Sequence, residues 1–122
     1  MLRSLSDSKG AVAVLAAISI AVLMSFVALG TDIGYIYTVR NHLQNAADSS
    51  AMAGAAYLYL SDRTQAVTQA TAAAIDYASK NKAANAPVVI TSQDIEFLPA
   101  ESEHPIQIKV TARRTNATNN PV

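Results

Sequence analysis

The chain of 122 residues has no cysteine and no tryptophan, and only four glycines and four prolines. The absence of cysteine excludes a disulfide framework, a thiolate metal site and a cysteine nucleophile. Charged residues make up 15% of the chain, and the formal net charge is zero. A typical soluble domain carries roughly 25% charged residues, and a nucleic-acid-binding protein normally has a basic excess. We therefore expect no nucleic-acid partner, and the 51% of apolar residues needs an explanation.

The apolar excess is concentrated near the N-terminus, where positions 10–31 carry no charge. About 20 apolar residues cross a bilayer as a helix, whose backbone hydrogen bonds are satisfied internally. A cleaved signal peptide has a shorter apolar core of roughly 7–15 residues, and a buried core helix needs more surrounding chain than this sequence offers. We predict a retained transmembrane helix over 10–31. Its membrane-anchoring side chains are Val12, Val14, Leu15, Ile18, Ile20, Val22, Leu23, Phe26, Val27 and Leu29.

Charges on either side of the apolar segment predict its orientation. Arg3 and Lys9 precede the segment, and Asp32 follows it. Cytoplasmic flanks of membrane helices are enriched in lysine and arginine. We therefore expect residues 1–9 to be cytoplasmic and residues 32–122 to lie outside the cytoplasm, with membrane lipid as the first partner.

The same helix is predicted to continue beyond the membrane, from about Ala11 to about Leu60. Apolar or small residues recur there at steps of three and four, which is the spacing of one helix face. Small residues predict close packing of a second helix, within the chain or between subunits. The alternative is that alanine simply favours helix. The residues of this packing face are Leu43, Ala46, Ala47, Ser50, Ala51, Ala53 and Gly54.

Residues 32–84 are predicted to form a helical region outside the membrane, with a break near residue 61. Asp62 and Gln65 have the spacing of a capping box, which predicts a second, amphipathic helix over about 62–82. Asp76 and Lys80 have the i,i+4 spacing of an ion pair. The predicted apolar stripe of this helix consists of Ala66, Ala70, Ala73 or Ala74, and Tyr77.

The composition changes to β-forming residues after Pro87. Short apolar runs at 88–91 and 95–97 precede a segment in which apolar Ile106, Ile108, Val110 and Ala112 alternate with polar residues, as in a half-buried strand. We predict a small antiparallel sheet of about three strands over 85–114, and an α+β fold. Residues 115–122 have little to bury and are predicted to be a frayed tail.

Candidate catalytic and metal-binding residues are few. Neither His42 nor His104 has a second ligand at metal spacing, so both are predicted to be solvated. Asp94 with Glu96, and Glu101 with Glu103, are carboxylate pairs that nothing places in a cleft. The glycines are too far apart to form a phosphate loop, and no nucleophile–base pair is present. We predict no catalytic residue, no metal, no cofactor and no small-molecule substrate.

An ordered series of short motifs fills the N-terminal part of the chain. The motifs are Gly10-Ala11-Val12, Gly30-Thr31-Asp32-Ile33-Gly34, Leu43-Gln44-Asn45-Ala46-Ala47-Asp48 and Ala53-Gly54-Ala55. In this order and spacing they resemble the N-terminal region of the TadE/TadG-like family of Flp pilus assembly. The resemblance implies a single-pass protein of the bacterial inner membrane that serves a Tad (Flp) pilus. It also implies other pilus-assembly or pilin subunits as partners, in a homo- or hetero-oligomer.

Prepilins of this kind are cut after a glycine, which implies a cleavage site between Gly10 and Ala11. The pattern places a glutamate at the fifth mature position, where this chain has Leu15. We therefore favour a non-enzymatic, membrane-anchored structural or assembly component that packs through its long helix. The alternatives are a type IV pilin-like subunit that polymerises into an extracellular filament, for example in cell adhesion, and a membrane-tethered binding module.

Overall fold

The computed structural model describes residues 4–99 and 105–113, and these residues form two α-helices and four short strands. This arrangement confirms the predicted α+β class. Helix α1 spans Ser4–Ala55 and helix α2 spans Arg63–Lys80. The strands are β1 (Lys82–Ala83), β2 (Ala86–Pro87), β3 (Ile95–Leu98) and β4 (Gln107–Val110), with a 3-10 turn at Ser92–Asp94 before β3.

The chain divides into two compact units, residues 1–37 and residues 38–122. Within the first unit, every residue from 10 to 37 is exposed. Three hydroxyl residues interrupt its apolar sequence, and each donates to the carbonyl oxygen four residues earlier. The distances are 2.9 Å for Ser19, 2.8 Å for Ser25 and 2.9 Å for Thr31. These bonds satisfy the three hydroxyl groups within the helix itself.

Helix α1 ends at Ala55, five residues before the predicted end near Leu60. The backbone N–H of Tyr57 donates to the carbonyl of Gly54 at 3.0 Å, and that of Leu58 donates to the carbonyl of Ala55 at 3.1 Å. In both hydrogen bonds the acceptor lies three residues before the donor. They satisfy carbonyl groups that the end of an α-helix leaves without partners. The chain therefore turns earlier than the apolar spacing predicted, before Leu60.

Helix α2 has the predicted N-terminal cap. The Asp62 carboxylate accepts a hydrogen bond from the backbone N–H of Gln65 at 2.9 Å, and the helix begins at Arg63. The predicted apolar stripe is wrong in part, because Tyr77 is 47% exposed. The residues that α2 buries are spaced strictly by four: Ala66, Ala70, Ala74 and Ala78.

The strands form two separate antiparallel sheets of two strands each, rather than one sheet of about three. A tight turn joins β1 to β2, and its central residues Ala84 and Asn85 have φ values of 50° and 65°. Val88 and Ile90 belong to the predicted first strand. Both are buried in the core, but they lie outside the strands. The apolar residues Val88 and Ile90 therefore fill the core without taking part in a strand pair.

The second sheet follows the predicted alternation. Ile95 faces Val110 and Phe97 faces Ile108 on the side of the sheet that packs on the core. Glu96 faces Lys109 on the other side, and their charged groups lie 3.0 Å apart. Ile106 was predicted on the buried side but is 73% exposed, because it precedes β4.

The core of the second unit is built from small side chains. Its buried members come from α1, α2 and the segment that follows α2: Val39, Ala46, Ala74, Ala78, Ala83, Val88, Ile90 and Ile95. Val88 and Ser50 are its largest fully buried side chains. The predicted carboxylate pair Glu101/Glu103, His104 and the predicted tail at 115–122 lie outside the described residues.

Replacing Asp62 with alanine is expected to destabilise α2 by about 1 kcal/mol, because the Gln65 N–H loses its acceptor. Hydrogen exchange of the full chain in detergent micelles measures this, since amides of the first turn of α2 would exchange faster. Ser61→Ala is the matched control, because the exposed Ser61 lies outside the capping hydrogen bond. Equal effects of the two substitutions would contradict a capping role for Asp62.

Candidate functional site

The predicted membrane-anchoring side chains all lie on the exposed part of α1. Their exposed fractions run from 48% for Val22 to 70% for Leu15, and Phe26 is 67% exposed. The residues surround the helix on all sides, and none of this apolar segment is buried inside the molecule. By length and composition, the helix over Gly10–Ala55 can cross a membrane. A helix that is apolar all round needs surroundings that are themselves apolar.

The packing face lies on the part of α1 that belongs to the second unit. Ala46 and Ser50 are fully buried, and Gly54 is buried beside them. These three residues are spaced by four, and we call them the α1 ridge. Ala47 is also buried, whereas Leu43, Ala51 and Ala53 are half-buried at its margins.

At Gly54 the α1 ridge packs against α2, whose buried alanines we call the α2 ridge (Ala66, Ala70, Ala74, Ala78). A Cβ atom built on Gly54 would lie 3.1 Å from the carbonyl oxygen of Ala70 and 3.6 Å from the Cβ of Ala74. It would also lie 2.5 Å from the Cδ1 of Ile108 in β4. Small residues allow two helix backbones to approach this closely. At Gly54, the packing face therefore contacts α2 of the same chain.

Hydrogen bonds accompany this contact. The buried Ser50 hydroxyl donates to the carbonyl of Ala46 at 2.6 Å. The Asn81 side-chain amide, at the end of α2, donates to the Ser49 hydroxyl at 2.9 Å. Among the described residues no buried side-chain nitrogen or oxygen lacks a hydrogen-bond partner. The helix pair thus buries its few polar groups without leaving one unsatisfied.

The charged groups of the second unit lie at its surface. Asp48 is exposed on α1 and accepts a hydrogen bond from the Gln44 amide at 2.8 Å, so this carboxylate faces solvent. The Lys80 ammonium donates to the Asp76 carboxylate at 2.6 Å, which confirms the predicted ion pair. The same ammonium lies 4.4 Å from the centre of the Tyr77 ring. The hydrogen bond to Asp76 raises the pKa of Lys80. His42 is exposed.

A cleft of about 290 Å³ lies between α1 and the end of β4, and the sequence did not predict it. Arg40 and Gln44 supply its polar groups. Its apolar lining comes from Leu43 and Ala47 on α1 and from Val110 and Ala112, with Thr111 between them. In the described part of the chain, no group of three His, Cys, Asp or Glu side chains could hold a metal ion. The structure thus offers binding surfaces: an apolar helix, and a cleft with one cationic side chain.

The comparison with known families finds a match that covers less than half of the chain. The model of the family described as "Putative Flp pilus-assembly TadE/G-like" (Tad) matches residues 10–56. This match confirms the resemblance that the sequence motifs indicated, and it supports a role in pilus assembly. No curated protein and no solved structure matches the chain. The matched stretch contains both the exposed apolar segment and the α1 ridge.

Proposed function

We propose that this chain, whose residues 10–56 match the TadE/G-like family of Flp pilus assembly, is a membrane-anchored structural or assembly component of a Tad pilus. The role is non-enzymatic, because the family is one of structural and assembly proteins. The observation that carries the proposal is the coincidence of the family match with the apolar, fully exposed part of α1. Such a helix is stable only when lipid or other apolar helices surround it.

In this proposal, residues 10–31 cross the bacterial inner membrane once. Residues 1–9 lie in the cytoplasm, and residues 32–122 lie on the periplasmic or extracellular side. The support is the position of Arg3 and Lys9 before the apolar segment and of Asp32 after it.

The topology is testable because the natural chain has no cysteine. Two variants would each carry a single cysteine, Ser4→Cys or Asn85→Cys. Spheroplasts that express one of these variants would be treated with a membrane-impermeant maleimide. We expect Asn85→Cys to react on intact spheroplasts and Ser4→Cys to react only after lysis. The opposite pattern would reverse the proposed topology. Recovery of the untreated chain in the soluble fraction would contradict the membrane anchor itself.

Partner subunits are expected to contact surfaces other than the α1 ridge, since that ridge is occupied by α2 within the same chain. The exposed apolar part of α1 is the remaining long apolar surface among the described residues. We propose that other pilus-assembly or pilin subunits pack there, in a homo- or hetero-oligomer.

The exposed apolar helix also supports a second candidate function, that of a filament subunit. An apolar helix exposed on all sides also suits the core of a filament, where the chain would be a pilin-like subunit. Cleavage between Gly10 and Ala11 would favour this fate, and a mass spectrum of the mature N-terminus measures it. Electron microscopy of sheared surface material would show the chain in fibres if it polymerises. Recovery of the chain only in dispersed membranes, with Met1 intact, would favour the permanent anchor.

A further inference from the structure

Strand β4 is paired along one edge only, since among residues 4–99 and 105–113 no strand other than β3 lies beside it. The backbone N–H of Thr111 donates to the carbonyl of Asp94 at 2.9 Å, which extends the register of the two strands by one hydrogen-bonded pair. Hydrogen-bonded and non-hydrogen-bonded pairs alternate along an antiparallel ladder. The N–H and C=O groups of Ile108 and Val110 therefore point away from β3, toward the unpaired edge.

A groove, which we call the β4 groove, lies between this edge and α1. The cleft of about 290 Å³ forms one end, with Arg40 on α1 and Val110 on β4. A second cleft of about 390 Å³ forms the other end, with Met52 on α1 and Ile106 just before β4. Met52 is 75% exposed and Ile106 is 73% exposed. All these residues belong to the second unit, so the groove is a feature of that unit alone.

The side chains of β4 leave its unpaired edge open to another strand. Exposed sheet edges in soluble proteins are often protected by charges that point inward or by bulges. The charged residue of β4, Lys109, points to the opposite face, where it is bound to Glu96 at 3.0 Å. Ile108 and Val110 turn half-buried apolar side chains toward the core and the groove. A sheet of two strands is marginally stable alone, so a third strand would stabilise it.

The two ends of the β4 groove differ in charge. Within residues 4–99 and 105–113, the Arg40 side chain has neither a hydrogen bond nor an ion pair. Its guanidinium group presents a rigid fork of donors that matches a carboxylate. Asp48 lies farther along α1, where it accepts from Gln44 at 2.8 Å, and it disfavours an anion in the middle of the groove. The end at Met52 is apolar. The groove thus matches a segment with one carboxylate at the Arg40 end and apolar side chains after it.

We propose that an extended segment of a partner protein adds to β4 as a third, antiparallel strand, with a carboxylate bound to Arg40 and apolar side chains along the groove. The backbone groups of Ile108 and Val110 supply the main-chain hydrogen bonds, and alternate side chains of the partner supply the specificity. Because β4 ends beside Arg40, the carboxylate precedes the apolar residues in the partner. Directly paired residues turn their side chains to the same face of a sheet. The partner residues that bond to β4 are therefore the ones that fill the groove.

A synthetic peptide titrated into the full chain in detergent micelles tests the strand. The probe has blocked ends and consists of one glutamate and then three valines, with a threonine after each of the first three residues. We expect it to shift the NMR amide signals of Ile108 and Val110, and to slow hydrogen exchange of both amides about fivefold at saturation, the effect of one hydrogen bond. Methylating the three valine nitrogens should abolish binding, because their N–H groups face β4. Methylating the three threonine nitrogens gives an isomer that should still bind.

The same probe tests the role of Arg40. Arg40→Gln should weaken binding of the probe about tenfold, as expected for hydrogen bonds to a charged group. A probe with glutamine in place of glutamate should bind the two chains equally. Lys82→Gln is the matched control, because Lys82 is an exposed cation on β1 outside the groove. Hydrogen exchange of the α2 amides verifies that Arg40→Gln remains folded.

Four results would overturn this inference. The probe could leave the signals of Ile108 and Val110 unchanged, or the two methylated isomers could bind equally, which would exclude strand pairing. Equal losses in Arg40→Gln and Lys82→Gln would indicate general charge attraction. Protection of the Ile108 and Val110 amides that rises with chain concentration, without any peptide, would assign the edge to a second copy of this chain. The maleimide experiment on spheroplasts tests the membrane anchor independently of all four results.

Discussion

Replacing Gly54 with valine is expected to destabilise the second unit by about 3 kcal/mol, because it overpacks the tightest contact between α1 and α2. A Cβ atom at this position meets a backbone oxygen, that of Ala70, at 3.1 Å, and a side-chain carbon of Ile108 at 2.5 Å. The Ile108 side chain can rotate away, but the Ala70 carbonyl belongs to α2 and moves only with the helix. The helix propensity of valine exceeds that of glycine by only roughly 0.3 kcal/mol, so it offsets little of this cost.

The control for Gly54→Val is Gly34→Val in the same helix, because a Cβ at Gly34 meets nothing within 4 Å. Hydrogen exchange of α2 amides in the full chain in micelles reports the difference. Adding Ile108→Ala to Gly54→Val should recover part of the loss, since it removes one of the two close contacts. Similar α2 exchange in the two valine variants would show that the helices do not approach each other as closely as described.

Ala74→Leu is expected to cost about 3 kcal/mol as well, for a related reason. Ala74 is 0% exposed in the α2 ridge, and its Cβ faces Gly54. An isobutyl group there has to push α2 away from α1. Ala72→Leu is the matched control, since Ala72 is exposed on the same helix.

Thermal unfolding of the full chain in micelles, followed by circular dichroism, measures the two leucine variants. We expect the unfolding transition of the second unit to move to much lower temperature for Ala74→Leu. Ala72→Leu should stay within about 0.5 kcal/mol of wild type, as is usual for surface positions. A wild-type transition for Ala74→Leu would show that this site relaxes at little cost.

Local features of the fold were predictable from the sequence because their causes are local. Asp62 caps α2 because a carboxylate three residues before an N–H is within hydrogen-bond reach of it. The Asp76–Lys80 pair forms because one helical turn places the two side chains side by side. The length of the apolar segment likewise requires only a count of residues.

Features that depend on tertiary contacts were not predictable in this way. Tyr77 and Ala78 fit an apolar stripe about equally well on spacing, and the close approach of α1 selects the smaller residue for the interior. The left-handed conformation of Ala84 has no sequence signal, since alanine rarely adopts positive φ. It follows from the tight turn that brings β2 back along β1.

The candidate site shows the same division. The small residues of the packing face were found from the sequence, but the sequence left open whether their partner belonged to this chain or to another. The cleft at Arg40 was missed, because its other wall comes from Val110 and Ala112, at the far end of the chain. An arginine on an exposed helix face has no signal in the sequence that distinguishes a binding group from a solvated one.

The spacing by four on both ridges has a further consequence for the alignment of the two helices. Sliding α2 along α1 by one repeat, about 6 Å, would again place small residues opposite small residues. The packing energy of the alanines is therefore nearly the same in neighbouring alignments of the two helices. Two contacts break this translational symmetry: the Asn81–Ser49 hydrogen bond of 2.9 Å and the position of Gly54 beneath Ile108. The Asn81 amide and Gly54 thus favour the observed alignment, whereas the alanine contacts stabilise neighbouring alignments about equally.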